Sequence, residues 1–160
     1  MASYNKKEHL RANIEAIKTV FALHREQRSA TPEERTILAA YTGFGALKCI
    51  ISPANTMEDI ARWNKSELDL FPLVMELHRV IRDNTASESQ YKSYVQSLKN
   101  SVMTAFYTPA PVVREIAASL QEAGIVPKRI LDPSAGMGEF IRSFDGIAAE
   151  GHTTFGFEKD

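Results

Sequence analysis

The chain has 160 residues, 44% hydrophobic and 24% charged, which is enough apolar material to bury roughly 70% of the unfolded surface and excludes disorder over the whole length. Cys49 is the single cysteine, so no intrachain disulfide framework exists, and His9, His24, His78 and His152 share no metal-ligand spacing. Nineteen basic against twenty acidic residues give a net charge of −1, which is not the footprint of a self-sufficient DNA-binding domain, although the first 50 residues lean basic with eight Lys and Arg against five Glu.

From Lys6 to about Arg25, Leu10, Ile14, Ile17, Val20, Phe21 and His24 recur at three-and-four spacing and predict a helix about 30 Å long. Lys6, Lys7 and Arg11 form its solvated face. Acidic Glu8 and Glu15 so near the start, with apolar runs too short to span a bilayer, predict a cytoplasmic chain with neither leader peptide nor membrane partner. A second helix opens at Thr31, with Pro32 at its first position and Glu34 completing a Thr-x-x-Glu box. It runs through Ile37, Leu38 and Tyr41 until Gly43 and Gly45 break it in TGFG. Pro53 and Pro72 punctuate the next stretch, which holds the only tryptophan, Trp63, and a helical run Leu73, Leu77, Val80 and Ile81. A turn at Asp83 to Ser89 precedes a helix with Tyr91, Tyr94, Val95, Leu98 and Val102 on one face. Residues 1–103 are thus expected to be an all-helical region, with a core on Ile14, Ile17, Phe21, Leu38 and Trp63.

The pattern then changes. An amphipathic helix on Val112, Val113, Ile116 and Leu120 stops at Gly124, a short strand covers Arg129 to Leu131, and DPSAGMG makes a turn. A helical stretch near Phe140 to Phe144 and a second strand in TTFGFE follow. Strand, glycine turn, helix, strand is the opening unit of a doubly wound α/β sheet, so residues 104–160 are expected to begin such a domain. Two parallel strands are not viable alone, which predicts that the chain is a piece of something longer.

The chemistry concentrates in this second part. Gly136 and Gly138 let the backbone turn sharply and approach a ligand, and the helix behind them offers free N–H groups. Asp132, beside that opening, would repel a pyrophosphate but accept hydrogen bonds from an ammonium group. The third glycine of a dinucleotide fingerprint is replaced by Ile141. Twenty residues beyond Gly138 stands Glu158, the position from which an acid holds ribose hydroxyls in nucleoside-binding α/β folds. Upstream, Thr108 and Pro109 enter a helix, so the Thr108 hydroxyl and nearby N–H groups can receive a carboxylate, with Phe106 and Tyr107 leading in.

FYTPAPVV, DPSAGMGEF and FGFEKD resemble, in this order, motifs X, I and II of the amino-methylating DNA methyltransferases, and the order with motif X first resembles the adenine-specific subclass. LAAYTGFGAL, followed by Trp63 and the Tyr91 helix, is similar to the lead-in of large methylases, often fused to helicases, that conjugative transposons and phages carry. Those relatives have Trp-Gly-Gly where this chain has Phe44-Gly45-Ala46.

The resemblance implies the start of a Rossmann-like class I fold that binds S-adenosylmethionine, truncated after its second strand. It implies that the cofactor's carboxylate lies at Thr108 and Pro109, which Tyr107 of the same cofactor-binding set precedes, its ammonium near Asp132 and the Ser134–Gly136 backbone, and its ribose on Glu158. Lys159 would flank the adenine, and Pro133, Ala135, Gly138 and Phe140 belong to the same cofactor-binding set. The implied partners are DNA, reached through the full-length protein, and the remaining methyltransferase segments, with helicase segments in the fused relatives. Such enzymes act through an Asn/Asp-Pro-Pro-aromatic loop; the seven prolines here include no adjacent pair, so no residue of this chain is expected to be catalytic. Two other readings use the same residues: a helical interaction or DNA-docking module of a mobile-element protein, with the glycine turn kept only as fold, and a fragment of a protein or RNA methyltransferase.

Overall fold

A computed structural model describes residues 5–45, 47–51, 54, 56, 58–105 and 107–158. Ala46, Pro53, Phe106 and Lys159, singled out above, lie outside the described residues. The chain divides into two units, Met1–Ala105 and Phe106–Asp160.

The first unit is helical: α1 (Lys6–Glu26), α2 (Pro32–Ala39), α3 (Phe71–Asp83) and α4 (Glu88–Thr104), with 3-10 turns at Lys48–Ile51, Asp59–Arg62 and Lys65–Leu70 between α2 and α3. Side chains set three of the starts. The Asn5 carbonyl accepts from the N–H groups of Lys7 and Glu8, Thr31 and Glu34 close their capping box with Pro32 in the first turn, and Ser87 accepts from Gln90 N–H. α4 carries on through Thr104, and the two units divide after Ala105.

The core of this unit gathers Leu10 and Ile14 of α1, Phe44 and Leu47 of the glycine loop, Ile50, Leu70, Val74, Leu77 and Ile81, and Tyr91, Leu98 and Val102 of α4. The stripe on α1 differs from the expected one. Val20 is 52% exposed and His24 is also exposed, while Asn13 is fully buried. Asn13 is polar yet belongs inside because it serves the backbone of the loop: its amide donates to Gly43 O, and its carbonyl accepts from Thr42 N–H at 2.9 Å. Ser101 Oγ accepts from Phe44 N–H at 3.1 Å on the other side, so the loop is held between α1 and α4 and its phenyl ring plugs the core. Left-handed Gly43, at φ +73°, makes that path possible.

Other expectations shift for similar reasons of tertiary contact. Ile17, Phe21 and Trp63 are half-buried against the core, while α2 buries no residue, leaving Leu38 only half-buried. α2 ends at Ala39, short of Tyr41, whose ring meets Phe44 edge-on. On α3, Val74 and His78 are buried where Val80 was expected. On α4, Tyr94 stays 36% exposed, its ring meeting Phe21 edge-on. Lys6 does more than face water: its ammonium lies 3.4 Å from Glu67 Oε1, a carboxylate on a residue only 1% exposed. Burial first, and then the charge of Glu67, push the Cys49 thiol up to about 12, so this cysteine is an inert core residue.

His78 ties three elements together. Its Nε2–H donates to Ile50 O at 2.7 Å, which leaves Nδ1 to accept from the Tyr91 hydroxyl at 2.9 Å. The Arg82 guanidinium lies 3.9 Å over the Tyr91 ring. Burial holds His78 below its ordinary value, and the Arg82 charge pushes the same way against the opposing bond to Ile50 O.

The second unit has α5 (Ala110–Glu122), β1 (Arg129–Asp132), α6 (Glu139–Asp145) and β2 (Thr153–Gly156). The strands pair in parallel with Arg129 opposite Thr153 and Asp132 opposite Gly156. α5 closes in a Schellman motif, with Ile125 N–H on Leu120 O, Gly124 N–H on Gln121 O, and Gly124 at φ +71°. Ile130 faces α6 and is buried, whereas on the other face Leu131 is 65% and Phe155 53% exposed. On α5 the buried line is Val113 and Ala117, with Val112 and Ile116 exposed, a rotation of the expected stripe. Among the described residues no helix is long and apolar enough to cross a membrane.

The neutral His78 makes acid sensitivity testable. Its contribution to stability is full above the ordinary value of 6.5 and is lost as pH falls through that value toward the depressed folded one. Thermal denaturation at about pH 7.5 and about pH 5.5 should show a larger acid loss in the wild type than in His78→Gln; equal losses would contradict the arrangement.

Candidate functional site

The site is built where β1 ends. Phe157 N–H donates to Asp132 O at 2.9 Å and Ala135 N–H to Phe157 O at 2.8 Å, so the parallel pairing continues past the strands and holds the turn against the end of β2. Gly136 and Gly138 both take left-handed conformations, φ +50° and +73°, that side chains other than glycine rarely adopt. Gly138 N–H closes the turn on Ala135 O at 2.7 Å, and Arg142 of α6 reaches back to Met137 O at 2.8 Å.

Three acceptor and ring groups converge on this turn. Asp132 Oδ1 accepts from Ser134 N–H at 3.1 Å, while its Oδ2 is buried with no hydrogen-bond partner among the described residues. Glu158 Oε2 accepts from Gly136 N–H at 2.6 Å. The Tyr107 ring lies on Gly136, so close that a Cβ there would stand 2.8 Å from Cε1 and 2.9 Å from Cδ1. Gly136 is therefore required twice, once by its backbone conformation and once by the ring above it.

Of the residues singled out in the sequence, Tyr107, Asp132, Ser134, Ala135, Gly136, Gly138 and Glu158 are brought together by these contacts. Thr108, Pro109 and Pro133 are exposed in the chain next to them. The Phe140 ring meets Phe144 edge-on at 5.8 Å. Thr108 does not cap α5. Pro109 is the cap, at φ −58° with no side-chain bond, because its carbonyl already accepts from Val112 and Val113 N–H and its ring fixes the geometry of the helix start. Lys159 lies outside the described residues.

Gly156 and Ile141 meet beside the turn, at the place where a dinucleotide fingerprint has its third glycine. A Cβ on Gly156 would stand 2.7 Å from Ile141 Cδ1 and 3.3 Å from Ala135 Cβ. The close approach of helix to strand that dinucleotide folds obtain from a glycine on the helix is here obtained from a glycine on the strand. The signal available in the sequence was a glycine inside the second strand pattern, which marks a close approach.

Chemically the site offers acceptors. Two carboxylates face a turn whose Gly136 amide is already engaged, an arrangement suited to a ligand that donates hydrogen bonds. Among the described residues no cluster of His, Cys, Asp or Glu is placed to hold a metal ion. No family model, no curated protein and no solved structure matches the chain.

The Ile141–Gly156 contact predicts coupled substitutions. Gly156→Val should destabilise the second unit by about 1–3 kcal/mol through overpacking. Adding Ile141→Ala should cost less than the two single changes summed, as read by amide exchange at Ile130; simple additivity would contradict the contact.

Proposed function

We propose that this chain is the cofactor-binding portion of a DNA adenine methyltransferase, and that the turn at the end of β1 takes S-adenosylmethionine. The observation that carries this reading is the buried Oδ2 of Asp132 at the strand end, a carboxylate oxygen with no hydrogen-bond partner among the described residues. A cofactor with a cationic amine supplies a donor, whereas a pyrophosphate would meet like charge.

In this proposal Asp132 receives the ammonium, and its bond to Ser134 N–H fixes which oxygen does so. Glu158 receives the ribose hydroxyls, oriented by its bond to Gly136 N–H. The Thr108–Pro109 segment at the start of α5 receives the carboxylate end. When bound, the cofactor supplies a methyl group on a positively charged sulfur. The residues that hold the target amine, an Asn or Asp followed by two prolines and an aromatic, have no counterpart in this sequence and belong to other parts of the proposed parent enzyme. DNA binding belongs there too, because a net charge of −1 offers little to a phosphate backbone. The proposed setting is a methylase of a mobile element, working in the cytoplasm.

Calorimetry with S-adenosylhomocysteine tests the reading. The 160-residue chain should bind it, and Asp132→Ala should weaken binding by about tenfold or more, the size expected for a charged hydrogen bond. Absence of binding, or binding indifferent to Asp132→Ala, would overturn the assignment. A radiolabelled methyl assay on adenine-containing duplexes should read as background for this chain, because nothing in it positions the target amine. Turnover would show that a catalytic group exists among these residues.

A further inference from the structure

A turn that cradles phosphate needs two things: uncommitted N–H groups aimed at the anion, and glycine backbone left bare so the ligand can come close. The turn after β1 has neither at its central residue. Gly136 N–H is committed to Glu158 Oε2 at 2.6 Å, so the donor a phosphate would use is already bonded to an anion. The Cα side of Gly136 is covered by the Tyr107 ring, two of whose carbons lie within 2.9 Å of where a Cβ would be. Asp132 adds a second carboxylate, whose Oδ2 has no partner among the described residues and favours cations.

We propose that Tyr107 is a specificity-determining residue: by lying on Gly136 it closes the glycine turn to phosphate, so the site takes a phosphate-free nucleoside and refuses nucleotides. This rests on the reading of the site as a nucleoside-cofactor site and names what sets its ligand class. The ring covers the turn and the Glu158 carboxylate occupies the amide beneath it. A phosphate would have to displace both and would face the charge of Glu158 and Asp132. A nucleoside bearing hydroxyl and ammonium donors meets neither obstacle.

The experiment is a competition between adenosine and ADP for S-adenosylhomocysteine bound to the 160-residue chain, in wild type, Tyr107→Phe and Tyr107→Ala, with circular dichroism to verify folding. In the wild type adenosine should compete at least about tenfold better than ADP. Tyr107→Phe keeps the ring and should keep that ratio, whereas Tyr107→Ala uncovers Gly136 and should shift it toward ADP by about tenfold. A residue that only supports the fold would change both affinities together and leave the ratio unmoved, which would overturn the proposal. Equal competition by ADP and adenosine in the wild type would overturn it without recourse to any variant, so a misfolded Tyr107→Ala leaves the test decisive. Failure of the wild type to bind S-adenosylhomocysteine at all would instead bring down the reading of the site as a cofactor site, and this inference with it.

Discussion

Glu158 Oε2 accepts from Gly136 N–H at 2.6 Å, and the second unit is arranged so that this bond can form. Parallel pairing sets Asp132 opposite Gly156, and two further backbone bonds carry the register beyond the strand ends to Phe157. Only that register delivers the carboxylate at position 158 to the turn. A slip of one residue would point it to the opposite face of the sheet. The turn must in its turn be left-handed at Gly136, which glycine alone supplies without strain, and the Tyr107 ring then fills the space a side chain would have used.

The same reliance on backbone capture orders the helical unit. Asn13 and Ser101 hold the loop that carries Phe44, and His78 joins α3, α4 and the turn at Ile50. In each case a buried or half-buried polar side chain is satisfied by main chain or by another side chain, the condition under which burial of polar groups is tolerated. The second unit differs in being half-covered. One face of its two strands is buried against α6 at Ile130, while Leu131, Phe155 and Phe157 are exposed on the other. Parallel strands are ordinarily covered on both faces, which agrees with the proposal that this unit is a portion of a larger sheet.

Local signals in the sequence were legible where their cause is local. The Thr31–Glu34 box and the Gly124 stop depend on residues a few positions apart, and the order strand, glycine turn, helix, strand follows from hydrophobic period and turn chemistry. What was not legible depends on partners far along the chain. Asn13 breaks an apolar stripe because it bonds a loop some thirty residues away, and Lys6 leaves the solvated face because Glu67 lies sixty-one positions on. At the candidate site, Asp132, Gly136, Gly138 and Glu158 were picked out by spacing. The Ile141–Gly156 contact and the seating of Tyr107 on Gly136 carry no periodic signal.

The central claim is that the turn at Gly136 is a ligand site whose amide and neighbouring carboxylates respond together. Amide correlation spectra of the chain titrated with S-adenosylhomocysteine test it most directly. The predicted result is saturable movement of the Gly136 and Ser134 amides and of Glu158, with Leu77 and Leu98 in the helical core unmoved. Titration to saturation that leaves Gly136 in place, or that moves only residues of the helical unit, would contradict it.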